Sequence, residues 1–205
     1  MSLRLFYTSV LALCAGQGAF ADTAAAGLDG AWKSVSCEVR PQPNADGTMG
    51  EWWLTREITL DAGRIEADFT TYAGPGCDFA LQVLSFAGSV QVLGPSGVMD
   101  GAVEADLTID EFVRFTPLAQ GFADFLNSAE AGTCGTAEWQ VGTAGDVLET
   151  GCSVLGLPAN SPTVEFEVLG VAADHLYFGE RPVDGSFLTS PEGRPKALLA
   201  PLIRQ

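Results

Sequence analysis

Apolar residues alternate with polar residues at every second position through much of this chain. Between Glu51 and Leu60 the even positions are apolar apart from Arg56, and most odd positions are polar. Because successive side chains of a strand point to opposite faces, this pattern predicts a strand with one buried face. The same alternation occurs at 65–69 and 103–109, where the odd positions are apolar. The chain is therefore predicted to be mostly β.

A further strand with this alternation is predicted in the last quarter of the chain. Its residues Val164, Phe166 and Val168 are expected to point inward, and the two glutamates between them outward. Turn-forming runs such as 61–63 and 94–97 separate the predicted strands. Many short strands joined by such turns are typical of an antiparallel barrel or sandwich.

Two segments depart from the simple pattern. Between 79 and 92 the apolar residues change from odd to even positions, which predicts a bulge or a barrel corner near Val83. Further along, Thr116 and Pro117 have the character of a helix start, and apolar residues then recur at helical spacing. We predict one amphipathic helix at about residues 117–131, lying across the sheet or at a barrel end.

The amino-terminal residues have the features of a cleavable secretory signal. A positively charged start precedes an apolar run at 5–15, and a small-x-small cleavage sequence ends at Ala21. We predict a signal peptide at 1–21 and a single periplasmic or secreted domain at 22–205. A lipoprotein anchored through Cys14 is less favoured, because a bulky leucine precedes that cysteine. No later segment supplies the roughly 20 apolar residues that a membrane-spanning helix needs.

Charge and cysteine content exclude some classes of function. The chain has 26 acidic and 10 basic residues, and its formal net charge of −16 is the opposite of a nucleic-acid-binding surface. Beyond the predicted signal it has cysteines at positions 37, 77, 134 and 152. An even number in an exported chain predicts two disulfides, although the spacing leaves three connectivities open. Since the chain has no C-x-x-C pair and a single histidine, we predict no metal and no cofactor.

No catalytic site is predicted. A serine or cysteine hydrolase needs a base beside its nucleophile, and His175 is the only histidine. It is interpreted as an exposed residue at a strand edge, and no G-x-S-x-G sequence is present. Glu104 and Asp106 share one strand face, as paired catalytic acids would, but that face is the polar one. We therefore predict that the protein is not an enzyme.

Arg56 is a charged residue at an otherwise apolar, inward position of its strand. A buried guanidinium must be paired, and two explanations are open. Arg56 forms an ion pair with Glu38 or another acid and so joins the first strands, or its planar fork binds the carboxylate or phosphate of a ligand.

A set of short motifs occurs in a fixed order along the chain. The run 32–41 contains a cysteine-glutamate-x-arginine-proline motif, and a leucine-threonine-arginine strand follows at 54–56. Further matches lie at 101–106, 176–179 and 194–195. Together these motifs resemble the APCDD1 domain family, and they cover nearly all of the predicted mature domain.

The resemblance implies an antiparallel β-barrel or bowl-like curved sheet that encloses an apolar pocket. It also implies disulfides between Cys37 and Cys77 and between Cys134 and Cys152. The animal members are membrane-tethered inhibitors of Wnt signalling, in which two such domains bind the acyl chain of the Wnt ligand. Because this chain has one such domain, the resemblance carries over only the ability to hold an acyl chain or another hydrophobic molecule.

The candidate pocket residues are those at inward positions of the predicted strands. They are Trp52, Leu54, Arg56, Phe69, Phe86, Val90, Leu107, Phe166, Leu176 and Phe178. A small barrel can fill its interior with such side chains, but the resemblance favours a hollow one. We predict an exported, non-catalytic protein that binds a lipid or other acylated ligand. A protein-protein interaction module of the cell envelope is the alternative, and an esterase-like enzyme is the third hypothesis.

Overall fold

The computed structural model describes residues 27–43, 48–128, 134–135, 138–153, 157, 159, 163–183 and 188–205. The signal predicted at 1–21 lies outside these residues. The elements are β1 Gly30–Ser34, β2 Glu38–Pro43, β3 Met49–Asp61, β4 Arg64–Tyr72, β5 Ala80–Pro95, β6 Val103–Pro117, α1 Gln120–Ser128, β7 Gly145–Asp146, β8 Thr163–Ala172, β9 His175–Phe178 and β10 Leu202–Arg204. In this part of the chain, no helix has the length and apolar character that crossing a membrane requires.

The strands form one antiparallel sheet whose hydrogen-bonded neighbours close into a ring. Strand β1 pairs with both β3 and β10, and the order β10, β9, β8, β6, β5, β4 leads back to β3. The ring includes only the second half of β3 and the first half of β6. The other halves of these long strands pair with β2 and β7 instead. The predicted mostly β fold with a curved antiparallel sheet is therefore confirmed.

Two apolar cores fill different parts of the curved sheet. The first core lies inside the closed ring and includes Trp32, Ile58 and Leu176. The second core lies where β6 pairs with β7, and it includes Phe115 of β6 and Leu126 of α1. Burying each of these large side chains contributes about 1.5–3 kcal/mol. The inner faces of the strands thus hold the fold together at both places.

The helix is shorter than predicted and starts later. Strand β6 continues through Pro117, which pairs with Gln82 of β5. The next two amides, of Leu118 and Ala119, both donate to the carbonyl of Leu81. These bonds hold the chain against β5, so Thr116 and Pro117 are strand residues rather than a helix cap and first turn. Helix α1 begins three positions after the predicted start, and positions 129–131 lie outside the described residues.

The predicted irregularity near Val83 is confirmed as a shift in register two residues earlier. Thr71 of β4 pairs with Gln82 but Tyr72 pairs with Ala80, so Leu81 is an extra residue of β5, as in a β-bulge. From Gln82 onward the even positions of β5 face inward, which explains why the apolar residues change to even positions. The pairing with β6 shifts again between Ala87 and Ser89.

At this shift, the backbones of β5 and β6 approach each other closely at Gly88. A β-carbon at Gly88 would overlap the carbonyl oxygen of Thr108 and would lie 2.9 Å from the α-carbon of Ile109. Because both contacts are with backbone, a side chain can be accommodated only if the strands separate.

We therefore expect Gly88→Ala to lower the free energy of unfolding by at least about 1–3 kcal/mol, which is the typical cost of overpacking a protein interior. Urea unfolding of the disulfide-bonded protein would measure the loss. Gly94→Ala on the same strand is the matched control, since no atom of the described residues lies within 4 Å of the position that a β-carbon would take there. A Gly88→Ala variant as stable as this control would contradict the proposed close approach.

Strand β8 faces the opposite way from the prediction. Glu167 pairs in register with Ala105 and Glu165 with Leu107, and these two β6 residues lie in the first core. The two glutamates therefore point inward. The three apolar residues expected inward lie on the outer face: Val164, Phe166 and Val168. The alternation was a poor guide because the outer face of β8 is itself partly covered: Val168 is fully buried there, and Val164 and Phe166 are half-buried.

Candidate functional site

An accessible apolar surface lies on the inner face of the sheet between the two cores. Phe69 and Phe86 pack against the first core, and Leu84 and Val113 against the second, yet all four keep part of their surface exposed. We call these four residues the apolar strip. The Phe69 and Phe86 rings meet edge to face with centroids 5.2 Å apart, a favourable geometry that fixes both side chains. The strip is thus a partly open apolar surface inside the curved sheet.

The structure brings most of the predicted pocket residues to the inner face but not into one cavity. Phe69 and Phe86 belong to the apolar strip, and Val90 is half-buried against the first core. Trp52 is inward on β3 and remains 38% exposed. Phe166 is on the outer face. The remaining candidates are buried among other side chains: Leu54, Arg56, Leu107, Leu176 and Phe178.

Six charged side chains form a second feature of the inner face. We call them the charged cluster: Glu38, Arg40, Arg56, Glu165, Glu167 and Arg181. The cluster adjoins the apolar strip, because Arg56 of β3 pairs in register with Phe69 of β4. Neighbouring strands are about 4.8 Å apart, so a bound molecule could touch both features.

The first half of the charged cluster is organised around Glu38 of β2. Its Oε1 accepts hydrogen bonds from Nε of Arg56, at 2.9 Å, and from the hydroxyl of Ser34, at 2.6 Å. Its Oε2 accepts a bond from Nη2 of Arg40, at 2.7 Å. Nη2 of Arg56 also donates to the carbonyl of Ala200, at 3.1 Å. The ion pair between Arg56 and Glu38, one of the two explanations given for this arginine, is confirmed.

The second half of the charged cluster is organised around Arg181, which follows β9. Its Nη2 lies 2.8 Å from Oε2 of Glu165 and 2.9 Å from Oε1 of Glu167. The amide of Gly179 donates to the other carboxylate oxygen of Glu167, at 3.1 Å. Glu167 is completely buried. Its charge is therefore compensated by one arginine and by the backbone amides of Gly179 and Val168.

Burial and neighbouring charges shift two pKa values in the cluster. Burial raises the pKa of Glu167 to about 7, although the charge of Arg181 opposes this rise. Burial is also the main cause that lowers the pKa of Arg40 to about 10, followed by repulsion from Arg56, and Arg181 contributes in the same direction. Arg56 and Arg181 are therefore both near enough to Arg40 to repel it. At neutral pH Arg40 therefore remains charged, whereas the pKa of Glu167 lies close to neutrality.

An open groove lies on the outer face, on the side of β6 and β8 away from the cores. It has a volume of about 760 Å³, and its lining includes Phe166, Arg194 and Asp106. The guanidinium of Arg194 lies 5.4 Å from the centre of the Phe166 ring and donates to Oδ1 of Asp106 at 2.7 Å. It also donates to the backbone carbonyls of Ala105 and Glu167, at 2.7 and 2.6 Å. Arg194 thus joins the two strands.

The residues considered for catalysis are dispersed. His175 is half-buried and pairs with Ile203 of β10 on one side and with Ala172 of β8 on the other, so its predicted exposed position at a strand edge is wrong. Glu104 and Asp106 are on the outer face, as predicted, where both approach Arg194. The described residues include no group of three or more His, Cys, Asp and Glu side chains placed to hold a metal.

Sequence reasoning missed Arg40 and Arg181. Arg40 occupies an even position of β2 two residues from Glu38, so the two side chains share the inner face, and this alternation was a usable signal. Arg181 had no comparable signal, since it follows a strand and its partners are on β8. Its position is apparent only from the fold.

The two disulfides connect Cys37 with Cys77 and Cys134 with Cys152, which is the pairing that the family resemblance implied. The first links the residue before β2 to the connection between β4 and β5. The second lies in the second core. Closures of this length stabilise a chain by about 3–4 kcal/mol on the chain-entropy model.

A comparison with family models gives a match to Adenomatosis polyposis coli down-regulated 1 over residues 10–174. The match covers most of the chain and includes β1 to β8, the apolar strip and both disulfides. It ends before β9, so Arg181 and Arg194 lie beyond it. The chain belongs to the APCDD1 family.

Proposed function

We propose that this protein binds a hydrophobic ligand with an acyl chain and performs no chemistry on it. The observation that carries the proposal is the apolar strip, four inward side chains that remain partly exposed although both neighbouring cores are filled. An apolar surface on the concave side of a sheet is a typical place for a ligand. The family membership supports the same function.

The filled ring limits where such a ligand could lie. Leu107, Leu176 and Phe178 occupy the closed part of the sheet, so the acyl chain would not run through the ring. It would follow the strip from Phe69 towards Val113. The two disulfides are consistent with an extracellular or secreted protein, and we propose a periplasmic or secreted location.

A protein-protein interaction module is the second candidate. Phe79, Leu118, Phe125 and Val141 are all large, apolar and exposed. Leu118 lies next to β5 through its bond to Leu81, and the residue after Val141 bonds to the carbonyl of Pro117. Exposed apolar side chains brought close together in this way are typical of a protein-binding surface.

Affinity for saturated fatty acids should rise with chain length until the apolar strip is covered. Each added methylene that is buried contributes about 0.8 kcal/mol, or about a fourfold change in Kd, before ordering costs. Isothermal titration calorimetry with octanoate, decanoate and dodecanoate would measure the series. Failure of every acyl compound to bind the correctly disulfide-bonded protein would contradict the proposal and favour the interaction module.

A further inference from the structure

We infer that Arg40 and Arg181 form the site for the carboxylate of the ligand, so that the protein selects ionised long-chain acids over their neutral esters. This inference rests on the proposed function, because it names the class of molecule that the apolar strip holds. The site lies in the charged cluster, at the edge of the strip.

Arg56 is the wrong residue for this task, although it is the nearest to the strip along the register. Its side chain is 3% exposed, and its guanidinium already donates to Glu38 and to the carbonyl of Ala200. Arg40 and Arg181 keep 19% and 33% of their side-chain surfaces exposed. These two side chains therefore keep surface that a ligand can reach without unfolding the cluster.

Arg40 also carries positive charge that its neighbours compensate incompletely, whereas Arg181 faces two carboxylates, one of them the buried Glu167. Glu38 is shared between Arg40 and Arg56, so one carboxylate faces two guanidinium groups. The two halves of the cluster meet where the guanidinium of Arg56 lies 5.8 Å from the centre of the Phe178 ring, three residues before Arg181. Arg181 is near enough to Arg40 to repel it there. An additional carboxylate at this junction would relieve the repulsion. Arginine suits this role because its planar fork can donate two parallel hydrogen bonds to one carboxylate.

Glu167 couples this site to pH. Its neighbours are Arg181, Glu165 and the amides of Gly179 and Val168, and Arg194 contacts its backbone carbonyl from the outer face. When Glu167 is protonated, the cluster has three arginines against two carboxylates, and a ligand carboxylate restores the balance. When Glu167 is ionised, it competes with the ligand for Arg181. Affinity for an acid should therefore fall as pH rises through about 7, where Glu167 loses its proton.

The test compares dodecanoate with methyl dodecanoate by calorimetry on the full disulfide-bonded protein. Wild type should bind the acid at least about tenfold more tightly than the ester, as expected for one charge-assisted hydrogen bond. Arg181→Gln and Arg40→Gln should each remove most of this preference and leave the affinity for the ester unchanged. Arg64→Gln is the matched control, since Arg64 is an exposed arginine paired with Glu111 away from the cluster, and it should behave as wild type.

Glu167→Gln supplies an independent measurement, because glutamine resembles the protonated acid in shape and charge. Acid binding by this variant should no longer change between about pH 6 and about pH 8, whereas binding by wild type should weaken over that range. Equal affinity of wild type for acid and ester would overturn the inference and leave the proposed function intact. Binding of neither compound would instead overturn the proposed function. If an arginine variant fails to fold, the wild-type ratio of the two affinities and its pH dependence still decide the question.

Discussion

Phe86→Asp is expected to abolish acyl-chain binding. Phe86 lies near the middle of the apolar strip and meets Phe69 edge to face, so the substitution places a carboxylate against the hydrocarbon and removes an aromatic contact. Placing an unpaired charge next to a buried acyl chain costs more free energy than the remaining apolar contacts of the strip contribute to binding. Calorimetry should therefore show no saturable binding of dodecanoate or of its methyl ester. Because the effect is on the chain and not on the headgroup, both ligands should be lost together.

Two further variants separate the loss of binding from loss of the fold. Phe79→Asp introduces the same charge at a side chain that is 61% exposed and outside the strip, and it should bind as wild type does. Phe86→Leu keeps the position apolar but removes the ring, and it should weaken binding without abolishing it. Normal binding by a folded Phe86→Asp protein would show that the acyl chain lies elsewhere.

Much of the sheet could be predicted because its inner faces are apolar in a regular way. In β3 and β4 the apolar residues at alternate positions, among them Ile58 and Ile65, lie in the first core, as the pattern indicated. In strand β8 the alternation indicated the wrong inner face. Its inward positions carry glutamates that Arg181 compensates, and its outward positions carry apolar residues that are buried or half-buried. Alternation identifies two faces of a strand, but it identifies the inner one only where the outer face meets water.

The charged cluster could be predicted only in part, for a related reason. An inward arginine on a strand must be paired with a negative charge, so an ion pair between Arg56 and Glu38 could be predicted from the sequence. Arg181 and Glu167 could not. Glu167 looked like a solvated residue on a polar face, and Arg181 lies outside any regular strand. Contacts between residues that are distant in sequence depend on the closure of the ring, which no local pattern encodes.

Arg56→Met should lower the free energy of unfolding by about 3 kcal/mol, towards the lower end of the range for breaking a buried ion pair. The substitution keeps a long apolar stem but leaves Glu38 with one guanidinium fewer and the carbonyl of Ala200 without its donor. The loss is moderated because Glu38 retains Arg40 and the hydroxyl of Ser34. Urea unfolding would measure it. Binding of acid and ester should change alike, since Arg56 stabilises the fold and does not contact the headgroup.

Arg114→Met is the matched control for this loss. Arg114 pairs with Asp146 at 3.3 Å, but both side chains are 46% exposed, and exposed pairs contribute about 0–1 kcal/mol. Adding Glu38→Gln to Arg56→Met should recover part of the stability, because the unpaired buried charge is then removed. If Arg56→Met instead keeps the stability of wild type and weakens binding of the acid alone, then Arg56 is the headgroup residue, and the assignment of that role to Arg40 and Arg181 is wrong.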